Sequence, residues 1–116
     1  MTAIKDSSTI QINKRVIATR CPVTFALNKI GGRWKPIIIN NLLNGAKRYG
    51  ELKKAIKPIT EKMLIQSLKE LELDGLINRV AQPVIPPHVE YSLTVQGMEL
   101  SPVLSAMKEW SVKYNV

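Results

Sequence analysis

Residues 49–75 read YGELKKAIKPITEKMLIQSLKELELDG, and their patterning decides the fold. Tyr49 to about Ile56 reads as a short helix with Leu52, Ala55 and Ile56 inward and Lys53 and Lys54 outward. Lys57-Pro58 ends it, because the residue before a proline is pushed out of the helical region. Thr60 then offers a side-chain oxygen as an N-cap. Leu64, Leu68 and Leu71 follow at i, i+4 and i+7, one apolar stripe that lasts until Asp74-Gly75 stops the helix. A short helix, a tight turn and a longer helix make the helix-turn-helix pattern.

Working outward toward the N-terminus, residues 34–43 predict a second helix that is apolar almost all round through Ile37, Ile38, Ile39, Leu42 and Leu43, hence buried and central. Pro36 is tolerated in its first turn, and Asn44-Gly45 is its stop. Before it, Pro22 suits the first position of a helix with Cys21 near its cap, and Gly31-Gly32 ends that helix. Residues 1–20 read as a tail, an arm or a short helix, and residues 21–116 as the folded domain. Toward the C-terminus the period changes. Leu76 to Gln82, a proline-rich tip at 83–87, and alternation at Val89, Tyr91, Leu93 and Val95 predict a β-hairpin. Thr94 caps a last helix whose apolar face is Leu100, Val103, Leu104, Met107, Trp110 and Tyr114, with Pro102 allowed only near a start or a kink. The expected fold is mainly α with a small β-hairpin, in the winged helix-turn-helix order.

At 116 residues the chain is one domain by length, with a core modest enough to favour a partner subunit. No apolar run approaches the roughly 20 residues that span a bilayer, and no basic-then-apolar leader opens the chain, so the expected compartment is the cytoplasm. One cysteine excludes an intrachain disulfide, and one histidine leaves almost no ligands for a transition metal. No metal or cofactor is expected. Without a nucleophile motif or a recognisable carboxylate pair, an enzyme has almost no candidate residues.

The net charge is +8, which makes a polyanion the default partner. Residues 29–57 hold eight of the positive charges, Lys29, Arg33, Lys35, Lys47, Arg48, Lys53, Lys54 and Lys57, against Glu51 alone. A solvated basic face without a partner would have the same composition. On the helix opening at Thr60, the leucine stripe turns inward, so at about 100° per residue Lys62, Gln66 and Lys69 project outward with Met63 and Glu70 at the flank. Thr60, Lys62, Met63, Gln66 and Lys69 are the expected base-reading residues: Gln66 can pair with adenine, Lys62 with guanine and Met63 with a thymine methyl. That helix is net negative, so the expected phosphate contacts are Lys35, Lys47, Arg48 and Lys53, at or near helix starts, together with Arg79. The wing tip has no Lys or Arg. His88 is either an exposed polar residue on a strand or a contact to DNA.

In order along the chain, Cys21-Pro22, Ile30-Gly31-Gly32-Arg33-Trp34, Lys47-Arg48-Tyr49, Glu51-Leu52, Leu68-Lys69-Glu70-Leu71, Asp74-Gly75-Leu76-Ile77, Pro86-Pro87, Val89-Glu90-Tyr91-Ser92-Leu93-Thr94, Gly97 and Trp110 resemble the HxlR-type regulators, bacterial winged-helix proteins related to the MarR group. The resemblance implies a homodimer built from the first and last helices, with Phe25, Leu104, Met107 and Trp110 in the seam, bound to a roughly twofold-symmetric double-stranded operator, more often as a repressor. Two positions depart from it: His88 stands where a basic residue is usual, and Thr60 where serine is.

Some relatives sense oxidants or electrophiles at the cysteine matching Cys21. A thiol at a helix start near Arg20 would have a lowered pKa and react as thiolate, and with no second cysteine its disulfide would join two subunits or a small thiol. Capping or packing alone would also account for Cys21. The rival to a DNA-binding regulator is a winged-helix protein that binds only other proteins.

Overall fold

The computed structural model describes residues 21–115, so the expectation for residues 1–20 lies outside the described residues. The chain divides into two compact units, one ending at Gly32 and one beginning at Arg33.

The first unit contributes helix α1, Pro22–Ile30. Cys21 stands at its N-cap in extended conformation with Pro22 inside the first turn, where a missing N–H removes no helical bond. Gly32, at φ +88°, carries the chain away. Val23, Phe25 and Leu27 on α1 are exposed.

The second unit is ordered α2 (Trp34–Leu42), β1 (Lys47–Arg48), α3 (Tyr49–Ala55), α4 (Glu61–Leu73), β2 (Ile77–Gln82), β3 (His88–Leu93), α5 (Val95–Met98) and α6 (Ser101–Tyr114). Its core is aliphatic: Ile38, Ile39 and Leu42 from α2, Leu52 from α3, Ile56 and Ile59 from the turn, Leu64, Leu68 and Leu71 from α4, and Leu76, Ile77 and Leu104. Each such side chain contributes about 1.5–3 kcal/mol when fully buried. Helix α2 is less enclosed than its composition predicts, for Ile37 remains 37% exposed.

The end of α4 is closed by two bonds: Gly75 N–H donates to the Glu72 carbonyl and Leu76 N–H to that of Leu71, both at 3.0 Å. This Schellman geometry needs a left-handed residue, which Gly75 supplies at φ +75°. The joint continues into α5. The Thr94 hydroxyl donates to the Gly75 carbonyl at 2.7 Å and accepts from Gly97 N–H at 3.0 Å. A Cβ at Gly97 would collide with the Leu76 carbonyl, so the close approach requires glycine there.

Two features differ from the sequence reading. The sheet has three strands in the order β1-β3-β2, all antiparallel, where a two-stranded hairpin was expected. The last helix is two helices: Thr94 caps only α5, and α6 restarts with Pro102 in its first turn. The proline ring would clash with the carbonyl of Met98 in a continuous helix, so the chain breaks before it.

Candidate nucleic-acid interface

Helix α4 is presented by its cap. Thr60 is extended, and its hydroxyl accepts from Met63 N–H at 3.1 Å. With the leucines buried, Lys62, Met63, Gln66 and Lys69 are exposed, as their phase predicts. Lys62, Gln66 and Lys69 share the lining of an open cavity of about 470 Å3 with Ile65 and Glu70. Ile65, 43% exposed, was not singled out from the sequence; its signal was an isoleucine outside the leucine stripe of an amphipathic helix.

Lys35 is not free for a phosphate. Its Nζ lies 2.7 Å from Glu70 Oε1, its side chain is only 15% exposed, and it ties α2 to α4. Glu70 Oε2 accepts from Gln66 Nε2 at 3.2 Å. The Lys35 ammonium, and after it the Gln66 amide, hold the Glu70 carboxyl below its ordinary range. Proximity of Lys35 to a helix start suggested a phosphate contact, but the tertiary partner in α4 has the stronger claim.

The other expected cations fall into two groups. In the sheet, Tyr91 is paired with Lys47 on one side and Arg79 on the other, so all three share one face. Arg79, Tyr91 and Lys69 line a cleft of about 400 Å3 with Ile65, Leu68 and Glu72, which brings a residue expected to read bases beside one expected to hold phosphate. Arg48 is exposed at the N-cap of α3, and its backbone N–H donates to Glu51 Oε1 at 2.8 Å. Lys53 sits in the last turn of α3, not near its start, and is half-buried; the helix dipole there favours a cation but draws no phosphate.

On the wing, His88 is half-buried with Nε2 3.4 Å from Glu90 Oε2, and Gln82 Nε2 donates to Glu90 Oε1 at 3.3 Å. Glu90 thus holds both residues that flank the tip, Gln82 and His88. Beyond them Val84 is 47% and Ile85 99% exposed. Tyr49, at the start of α3, has its hydroxyl shut off from solvent with no hydrogen-bond partner among the described residues. Burial first, then Glu61 and Tyr91, push its pKa up.

Among the residues expected at a subunit seam, Phe25 is 46%, Met107 51% and Trp110 66% exposed, while Leu104 is buried at 5%. Leu104 is therefore a core residue of the single chain, pointing inward from the first turns of α6. It also forms the floor of a groove of about 360 Å3 between α2 and α6, with Ile37, Met107 and Val112 on its sides. Trp110 and Tyr114 stack at 5.3 Å with their planes 42° apart. In the first unit, the Cys21 thiol is held below its ordinary range, chiefly by the Thr24 side chain and then by the Thr24 N–H. No helix among the described residues is long and apolar enough to cross a membrane.

Comparison with known proteins places this geometry. The model of the HxlR-like helix-turn-helix family matches residues 29–116. The uncharacterized HTH-type transcriptional regulator YdeP of Bacillus subtilis (strain 168) is 48% identical over 94 residues, covering 81% of this chain and 73% of its own. Among solved structures, the redox regulator HypR in its oxidized form is similar with TM-score 0.76 and 44% identity, over 80% of this chain and 96% of that one. A transcriptional regulator of the MarR family from Porphyromonas gingivalis W83 is similar with TM-score 0.78 and 35% identity, over 97% and 99%.

Proposed function

The chain belongs to the HxlR-like helix-turn-helix family of transcription regulators, and from that premise we propose that it is a dimeric repressor whose α4 reads a roughly twofold-symmetric operator. The observation that carries the proposal is the outer face of α4. Lys62, Met63 and Gln66 stand exposed in the half nearest the Thr60 cap, the end a recognition helix inserts into the major groove. Lys69 and Arg79, on the two sides of one cleft, are suited to the phosphates between recognition helix and wing. Lys47 and Arg48 add contacts from the start of α3. The exposed Phe25, Met107 and Trp110 support a seam made by α1 and α6 of two subunits.

Cys21 is the oxidant-responsive group in this reading. Thr24 favours its thiolate, and a similar protein is a redox regulator. Two Cys21 thiols, one from each subunit, would give two electrons and two protons to hydrogen peroxide, forming one disulfide and two waters. A small thiol could take the place of the second subunit.

Selection of bound duplexes from a random pool, with and without peroxide, tests both parts. The expected outcome is enrichment of a symmetric sequence that peroxide abolishes, with Cys21→Ser keeping the enrichment and losing the response. No enrichment in either arm would refute operator reading, and a responsive serine variant would refute sensing at Cys21.

A further inference from the structure

The outer face of α4 contains a carboxylate that a DNA-binding surface should avoid, and the structure shows what it is bonded to. Glu70 lies one turn beyond Gln66 on the same face. It accepts from Gln66 Nε2 at 3.2 Å through one oxygen and meets Lys35 Nζ at 2.7 Å through the other. We propose that Glu70 is a positioning residue for base reading: anchored by Lys35, it holds the Gln66 carboxamide in the one orientation that matches adenine. This deepens the reading of Gln66 given above and rests on it.

A side-chain amide offers an oxygen that only accepts and a nitrogen that only donates, and the two ends exchange when the amide flips. An ionised carboxylate only accepts. Glu70 therefore fixes the amino end of Gln66 toward the C-terminal side of α4 and turns Oε1 away from it. One N–H is committed to Glu70; the second N–H and Oε1 remain. One donor beside one acceptor is the pair that adenine requires, N7 taking the N–H and the N6 amino group giving to Oε1. A flipped amide would set two acceptors, Oε1 and the Glu70 carboxylate, against each other.

Lys35 makes this arrangement compatible with DNA. A bare carboxylate on the reading face would repel phosphates, whereas a charge-assisted bond to an ammonium holds it in place and offsets its charge. The largest lowering of the Glu70 pKa comes from Lys35, so the carboxylate stays ionised at neutral pH. The pair also explains why a lysine in the basic middle of the chain is covered: it serves the reading helix from behind.

The test is a cycle of variants in the full chain, each measured on the selected operator, on operators altered one base pair at a time, and on a random duplex. Gln66→Ala identifies the base pair that Gln66 reads, with a loss of preference there of roughly 5- to 100-fold. Glu70→Ala is expected to relax preference at that same position by about tenfold and at no other, without weakening binding to the random duplex. The double variant should show no further loss, since the two residues act as one unit. Lys35→Met should relax the same position. Glu70→Ala leaves the Lys35 ammonium, 15% exposed, without its carboxylate, so the thermal midpoint checks that this variant is folded, and Lys35→Met, which strands no covered ammonium, is the second arm.

If Gln66→Ala relaxes preference and Glu70→Ala leaves it as in the parent, the positioning role is overturned while base reading by Gln66 stands. A Glu70→Ala variant that weakens all duplexes by one common factor would likewise overturn it, since the contact would then be merely structural. If Gln66→Ala changes nothing, Gln66 does not read DNA and the inference falls with that reading.

Discussion

The hydroxyl of Tyr49 is buried without a partner among the described residues, which costs about 1–3 kcal/mol of desolvation that no hydrogen bond returns. Tyr49→Phe should therefore unfold at the same temperature or higher in calorimetry near neutral pH. Burial raises the tyrosine pKa in the folded state, so its stabilising contribution is complete below the unfolded value of about 10 and is lost as pH rises beyond it. The phenylalanine variant should lose less stability between neutral and strongly alkaline pH than the parent does. At Cys21, Thr24→Val removes the first cause of the lowered thiol pKa. Its rate of alkylation by iodoacetamide should rise at a higher pH than in the parent, and an unchanged pH profile would show that Thr24 does not tune the thiol. Single residues also mark the limit of what the sequence discloses. The outward phase of Lys62, Gln66 and Lys69 follows from 3.6-residue periodicity alone, but Lys35 and Glu70 are 35 positions apart, and no local pattern announces their pairing. Cys21 was assigned a lowered pKa from a helix start and from Arg20; Arg20 lies outside the described residues, and among those described Thr24, one turn along, is the first cause.

At the scale of elements, α4 was legible in full, because its cap, stripe and stop are all local chemistry. The cap can be tested: Thr60→Ala removes the bond to Met63 N–H and should cost about 1 kcal/mol in denaturant unfolding. Serine at this position should restore it. Strand β1 was illegible for a physical reason. Two residues cannot display an alternation, and Lys47-Arg48 becomes a strand only because β3 offers free backbone groups beside it. The division of the last helix was half legible: Pro102 signalled a start or a kink, but periodicity across Leu100 to Tyr114 made one long element the simpler expectation. Leu104 was read as part of an interaction face because a helical stripe does not reveal which of its members are already covered by the same chain.

For the whole molecule, the net charge of +8 made a polyanionic partner legible, and the family comparison agrees with it. Which cations touch phosphate is a matter of tertiary placement. Binding to a random duplex should weaken steeply with salt, and Lys47→Ala or Arg79→Ala should each lower the log–log slope by about 0.9. Lys35→Met, by contrast, should leave the slope as it is. An equal drop in all three would return Lys35 to the phosphate-binding set. Trp110→Glu puts a charge on the face proposed as the seam, and sedimentation velocity should then report a monomer with an unchanged far-UV spectrum. A dimer that survives the substitution would place the seam elsewhere.

The joint at Gly75, Thr94 and Gly97 has a mechanical meaning in such a dimer. Two hydrogen bonds and one close backbone approach lock the end of α4 to the start of α5, which ends two residues before α6 begins. In the proposed dimer the joint would leave no slack between the end of α4 and the short helix that leads into α6. A tilt of α6 at the proposed seam would then pass to α4 in each subunit, and the distance between the two α4 helices is what a twofold operator would measure.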